Sequence, residues 1–125
     1  MKYERCPKRT IKNYVPIPNE IFLLGLCTEE IAIYSYLLRC ENKNYQCWPS
    51  YKTIGRHVQI KSKNTVKKYV DSLCEKQLIW TEPTQIYRGN LKVNGNLKYT
   101  IRPIQEAIDY HFQKQCKKNE LELCR

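Results

Sequence analysis

Apolar residues recur every three to four positions through the first and last parts of this chain and every second position between them. That change of period separates helical from extended segments. Residues 1 to 18 set Pro7, Pro16 and Pro18 among basic side chains, which favours an extended arm over a helix. A short helical turn is expected from Asn19 to Leu24, with Asn19 as its cap and Gly25 where it stops. Thr28 reads as the cap of a longer helix over residues 29 to 40. Glu29 and Glu30 suit its positive end, and Ile31, Tyr34, Leu37 and Leu38 share a face. Glu41 to Trp48 is polar and loop-like. From Ser50 a short helix runs to Val58 with Tyr51, Ile54 and Val58 on one side, and Gln59 to Lys61 forms a turn. Ser62 caps a stronger helix from Lys63 to Lys76, with Val66, Tyr69, Val70 and Leu73 inward and Lys63, Asn64, Lys67, Lys68 and Asp71 outward.

The stretch from Leu78 to Gln85 is rich in β-branched and aromatic residues, and Pro83 confines it to an edge or a short strand. Leu97, Tyr99 and Ile101 then alternate with Lys98, Thr100 and Arg102. Between these strands Arg88 to Asn96 holds Gly89, Asn90, Asn94, Gly95 and Asn96, the residues of a long hairpin tip. Pro103 starts a last helix in which Ile104, Ala107, Ile108, Phe112 and Cys116 recur at spacings of three and four. The predicted fold class is α+β, mainly helical: a winged helix-turn-helix with a three-helix core, a β-hairpin wing and an extra C-terminal helix. Its expected division is a basic arm at 1–18, the winged domain at 19–102 and a C-terminal helix at 103–125 that is a candidate homodimer element.

Charge gives this pattern a partner. The 125 residues carry 22 Lys and Arg against 12 Asp and Glu, a net +10, which favours a polyanion. The excess is segmental: +4 over residues 1–14, +5 over 48–76 and +4 over 85–102, against −2 over 28–42 and balance over 103–125. Two of the basic segments coincide with the strong helix and the hairpin. A helix entering the major groove, ~12 Å wide, and a hairpin reaching nearby phosphates need these residue types in this order. Lys63, Asn64, Lys67 and Lys68 are the candidate base contacts in double-stranded DNA. Ser50, Lys52, Arg56, Ser62, Arg88, Lys92 and Lys98 are the candidate phosphate contacts.

Other chemistry finds little support. No stretch reaches the ~18 consecutive apolar residues of a membrane span, and the polar start lacks a secretory signal's apolar core. A cytoplasmic protein without membrane partners is expected. Seven irregularly spaced cysteines fit reduced thiols rather than a disulfide framework. Cys40 and Cys47 bracket a loop, but no CxxC or paired His completes a metal site. His57 reads as a surface or phosphate-contacting group. Asp109 and His111 point to different sides of one helix and make a poor acid–base pair. No phosphate-binding glycine loop, activated nucleophile or carboxylate pair is present, so neither enzymatic activity nor a cofactor is expected.

The segments Pro18-Asn19-Glu20-Ile21-Phe22, Ile31 to Leu38, Cys47-Trp48-Pro49-Ser50-Tyr51-Lys52-Thr53-Ile54-Gly55, Asn64-Thr65-Val66 and Leu78-Ile79 together resemble bacterial helix-turn-helix proteins of mobile elements. More distantly, they resemble the N-terminal winged-helix domain of plasmid replication initiators from Gram-positive bacteria. The resemblance implies that Ser62 to Leu73 contains the recognition helix. Such proteins commonly place Gly, an apolar residue and Ser before that helix and Gly after it. Here Gln59-Ile60-Lys61-Ser62 lacks the Gly and adds one residue, and Gln77 stands at the second Gly position. A sequence-specific regulator or mobile-element accessory factor is the leading expectation; an initiator module and a protein-interaction adaptor are the alternatives.

Overall fold

A computed structural model describes residues 13–123; residues 1–12 of the expected basic arm lie outside the described residues. A 3-10 turn at Asn19–Leu23 leads into helix α1 at Thr28–Cys40. Both begin at the residue expected to cap them, with Pro18 and Cys27 at the N-cap positions instead of Asn19 and Thr28. For α1 the reason is Glu30, whose carboxylate reaches back to accept the Cys27 N–H at 3.2 Å and so ties down a free donor of the first turn. Glu30 is itself buried, 4% exposed, so tertiary contacts set the helix start. Gly25, at φ 68°, makes the left-handed turn between the two elements.

Helix α2 spans Tyr51–Val58 and helix α3 Lys63–Glu75. Both caps are as the sequence indicates: the Ser50 hydroxyl accepts the Thr53 N–H at 3.1 Å and the Ser62 hydroxyl that of Thr65 at 3.5 Å. The three helices pack on one another around Ile33, Tyr34, Leu37, Ile54, Val66, Val70 and Leu73, all fully buried.

Strand β1 is only Gln46–Cys47 and sits in the segment expected to be a loop. Two residues show no alternation, and their pairing comes from a distant strand. Strand β2 is Ile79–Glu82, β3 Gln85–Arg88, β4 Leu91–Asn94 and β5 Lys98–Ile101. An antiparallel sheet of order β1-β5-β2 closes the core through Ile79, Tyr99 and Ile101, while β3 and β4 continue outward as a separate two-stranded hairpin. The run expected as one strand over 78–85 is broken at Pro83, which has no N–H for the ladder. The tip is correspondingly shorter than expected. Leu91–Asn94 is strand, and only Gly89 and Asn90 turn, with Gly89 at φ 63° in the first central position as a type II′ hairpin turn demands.

Helix α4 covers Ile104–Leu123. Its apolar stripe is used only at the start: Ala107 is buried, Ile104 and Ile108 pack against the core, but Phe112 is 66% exposed and Cys116 is exposed. Helices α1 to α3, the β1-β5-β2 sheet and the projecting hairpin are a winged helix-turn-helix with an added C-terminal helix.

Candidate nucleic-acid interface

The outer face of α3 is polarised along its length. Lys63, Asn64, Lys67 and Lys68 are all exposed on the first two turns, whereas Asp71 and Glu75 occupy the exposed positions further on. Thirteen residues make a helix of about 20 Å, so its N-terminal half is attractive to phosphate and its C-terminal half is not. The free N–H groups of the first turn add to that attraction. Lys68 holds its ammonium 5.4 Å from the Tyr69 ring centre, which leans it to one side of the Lys63–Lys67 row.

The turn before α3 builds a second basic surface. Gln59 takes the left-handed conformation at φ 64°, and the Ile60 N–H donates to the Gly55 carbonyl at 2.9 Å. Gly at the equivalent place in similar sequences would meet the same backbone demand without a Cβ penalty. The added residue leaves Ile60 as the apolar plug and turns Lys61 to solvent. Lys61 thereby joins Lys52, Arg56 and Lys63 around an open groove of about 590 Å³ whose lining contains no carboxylate. The sequence pattern marks Lys61 only as a turn residue; its place among three other cations depends on how the turn folds. Ser50 and Ser62 stand at the N-termini of the two helices, where their hydroxyls are already engaged as caps. His57 stacks on Tyr36, with ring centres 4.7 Å apart and planes 18° from parallel, so it braces α2 against α1.

On the hairpin, Arg88 and Lys92 are exposed but are not cross-strand partners: Arg88 pairs with Leu91, and Lys92 with Tyr87. Residues opposite each other share a face, so the two cations lie on opposite faces of the hairpin. Lys98 at its base is half-buried and bonded to Glu82 at 3.0 Å, which already offsets its charge.

One buried constellation orients this surface. Glu30 near the start of α1 accepts from Lys76 at 2.9 Å through both oxygens and from the Ser72 hydroxyl at 3.0 Å. It thereby ties the C-terminal end of α3 to α1. Burial pushes the Glu30 carboxyl upward, but the Lys76 ammonium and the bonds from Cys27 and Ser72 together outweigh it and hold the group below its usual value. Among the described residues no group of His, Cys, Asp and Glu has the clustering of a metal site. Cys47, pushed up to about 12 by burial, serves as a small core residue. No helix among the described residues is long and apolar enough to cross a membrane.

Comparison with known proteins agrees with this fold. The structure is similar to that of a possible transcriptional regulator from Methanosarcina mazei Go1, with a TM-score of 0.55 and 16% identity over 89% of this chain and 95% of that chain. At this identity the likeness is one of fold. No curated protein matches in sequence. Residues 24–79 match the family model of a helix-turn-helix domain, the stretch that contains α1, the two helices of the basic groove and the turn between them.

Proposed function

We propose that this protein binds duplex DNA sequence-specifically and acts as a transcriptional regulator or mobile-element accessory factor. The observation that carries the reading is the gathering of cations from separate elements onto the helix-turn-helix. Lys52 and Arg56 of α2, Lys61 of the turn and Lys63 of α3 surround one groove, and Lys67 follows on the same exposed helix surface. Phosphate contacts from α2, the turn and the wing supply affinity, and Asn64 and Lys67 read base edges in the major groove. The match of residues 24–79 to a helix-turn-helix model supports the same assignment.

Selection of bound sites from random duplexes, followed by titration of Asn64→Ala and Lys67→Ala, tests it. Each variant is expected to lose ~1 to 3 kcal/mol of discrimination between selected and scrambled sites. Equal loss on both kinds of site would make these residues phosphate contacts. Sites that turn out to be arrays of direct repeats would favour an initiator module over a promoter-binding regulator.

Two copies complete the proposal. The 66% exposure of Phe112 leaves an apolar side chain on α4 that the chain's own core does not use. A two-fold pairing through α4, over residues 104 to 123, would set two recognition helices ~34 Å apart on a pseudo-palindromic site.

A further inference from the structure

The two faces of the wing are chemically different, and the strand register tells them apart. Gln85, Tyr87, Lys92 and Asn94 lie on one face; Ile86, Arg88, Leu91 and Val93 lie on the other. The first is wholly hydrogen-bonding and the second apolar apart from Arg88. Tyr87, 72% exposed, has no role in the core.

The join between wing and sheet shows which face continues which. Glu82 pairs with Lys98 and Gln85 with Asn94, leaving two residues on the outgoing strand against three on the return. The Gly95 N–H donates to the Thr84 carbonyl at 2.9 Å, which keeps that pair in the wing's register. The extra residue therefore falls at Asn96–Leu97, opposite Pro83, as a β-bulge on the return strand. An even number of residues, Pro83 and Thr84, joins β2 to β3, so an extended connection preserves the alternation. Counted along it, Gln85 and Tyr87 fall on the side of Ile79 and Thr81, and Ile86 and Arg88 on the side of Trp80 and Glu82. Ile79 faces the helices, being buried, whereas Trp80 on the opposite side is 57% exposed. The bulge inverts the return strand and so brings Lys92 and Asn94 to the helix side with Tyr87.

The helix side is also where the wing meets the basic surface. Gly95, Asn96 and Leu97 line one cleft with Ser50 and Tyr51 at the start of α2, and the Asn96 side chain donates to the Trp48 carbonyl at 3.2 Å. From these observations we infer that the wing contacts the DNA backbone through Tyr87 and Lys92, flanked by Gln85 and Asn94, and that Arg88 stands on the face turned away. This inference rests on the reading that the helix-turn-helix binds duplex DNA. It adds Tyr87 as a phosphate-binding hydroxyl and separates two cations that composition alone treats as equivalent.

Titration of one duplex over a range of salt concentrations, with the full chain and the variants Tyr87→Phe, Lys92→Gln and Arg88→Gln, distinguishes the faces. All three side chains are exposed, and thermal melting checks that each variant keeps the parental fold. Lys92→Gln is expected to lower the magnitude of the log–log salt slope by about 0.9. Tyr87→Phe is expected to cost roughly tenfold in affinity, the size of one hydrogen bond to a charged group. Arg88→Gln is expected to match the parent in both. A slope change for Arg88→Gln equal to that of Lys92→Gln, or parental binding by both Tyr87→Phe and Lys92→Gln, would overturn the assignment while leaving DNA binding intact. A parent without salt-dependent duplex binding would remove the underlying reading and the inference with it.

Discussion

Gly55 shows how closely the helix-turn-helix is fitted at the scale of single residues. It is buried in α2 under the Ile60 carbonyl, and a methyl group added there would run into that oxygen and press on Val66. The neighbour is backbone, held by its own bond to Gly55 and by Gln59 in a left-handed conformation, so little can move aside. Gly55→Ala is therefore expected to destabilise the fold by about 1 to 3 kcal/mol through overpacking, despite alanine's better helix propensity. Chemical denaturation of the two proteins measures this; an alanine variant as stable as the parent would mean that the turn relaxes freely. Gln59 and Gln77, at φ 64° and 66°, carry left-handed strain that glycine would avoid. At Gln77 the side chain offers compensation, since its oxygen accepts from the Arg102 guanidinium. These are the two places where the sequence departs from the glycine pattern of the proteins it resembles, and the backbone there retains the glycine conformation.

Among the elements, α3 depends on α1 for its orientation. The Glu30–Lys76–Ser72 cluster joins them, and its carboxyl titrates below the usual 4.5. A carboxyl depressed in the folded state adds stability above its unfolded value and loses it as pH falls through the lower folded value. The parent should thus lose stability on acidification below about pH 4.5, and Glu30→Gln should show a flatter profile there. At neutral pH the variant should be less stable by about 1 to 3 kcal/mol, the range for unmaking buried hydrogen bonds. Thermal melts across pH check both; identical acid profiles would assign the parent's loss to other carboxylates.

The elements that were legible in the sequence are those whose signals are local. Ser50 and Ser62 cap their own helices, and Val66, Val70 and Leu73 mark the inner face of α3 without help from the rest of the chain. Three features depend on partners far along the chain. Strand β1 exists because Gln46 and Cys47 pair with Thr100 and Tyr99, α1 is capped at Cys27 because Glu30 is fixed by Lys76, and Lys61 acquires three cationic neighbours only when the turn closes. The wing tip is shorter than its composition indicates, because Asn94 and Gly95 have turn-forming chemistry yet Asn94 pairs in the ladder with Gln85. Apart from Lys61, the cations of the candidate site are thus readable as a set, while their division between wing faces requires the register.

The whole molecule is expected to act as a two-fold pair. Since Phe112 is exposed rather than part of the core, Phe112→Asp should leave the fold intact, convert a dimer to a monomer and weaken binding to a pseudo-palindromic site. Sedimentation of parent and variant at micromolar concentration reads this directly, and a monomeric parent both free and on DNA would rule the pairing out. More general than the dimer is the proposal that the basic groove, α3 and the wing together form a surface for duplex DNA. Its most direct measure is fluorescence anisotropy of a labelled duplex titrated with the full chain between about 50 and 200 mM salt, where displaced counterions set the dependence. Saturable binding is expected, with log affinity falling linearly with log salt at a slope of about −4 or steeper, as for several phosphates neutralised at once. Absence of saturable binding at the lowest salt, or a slope near zero, would contradict it.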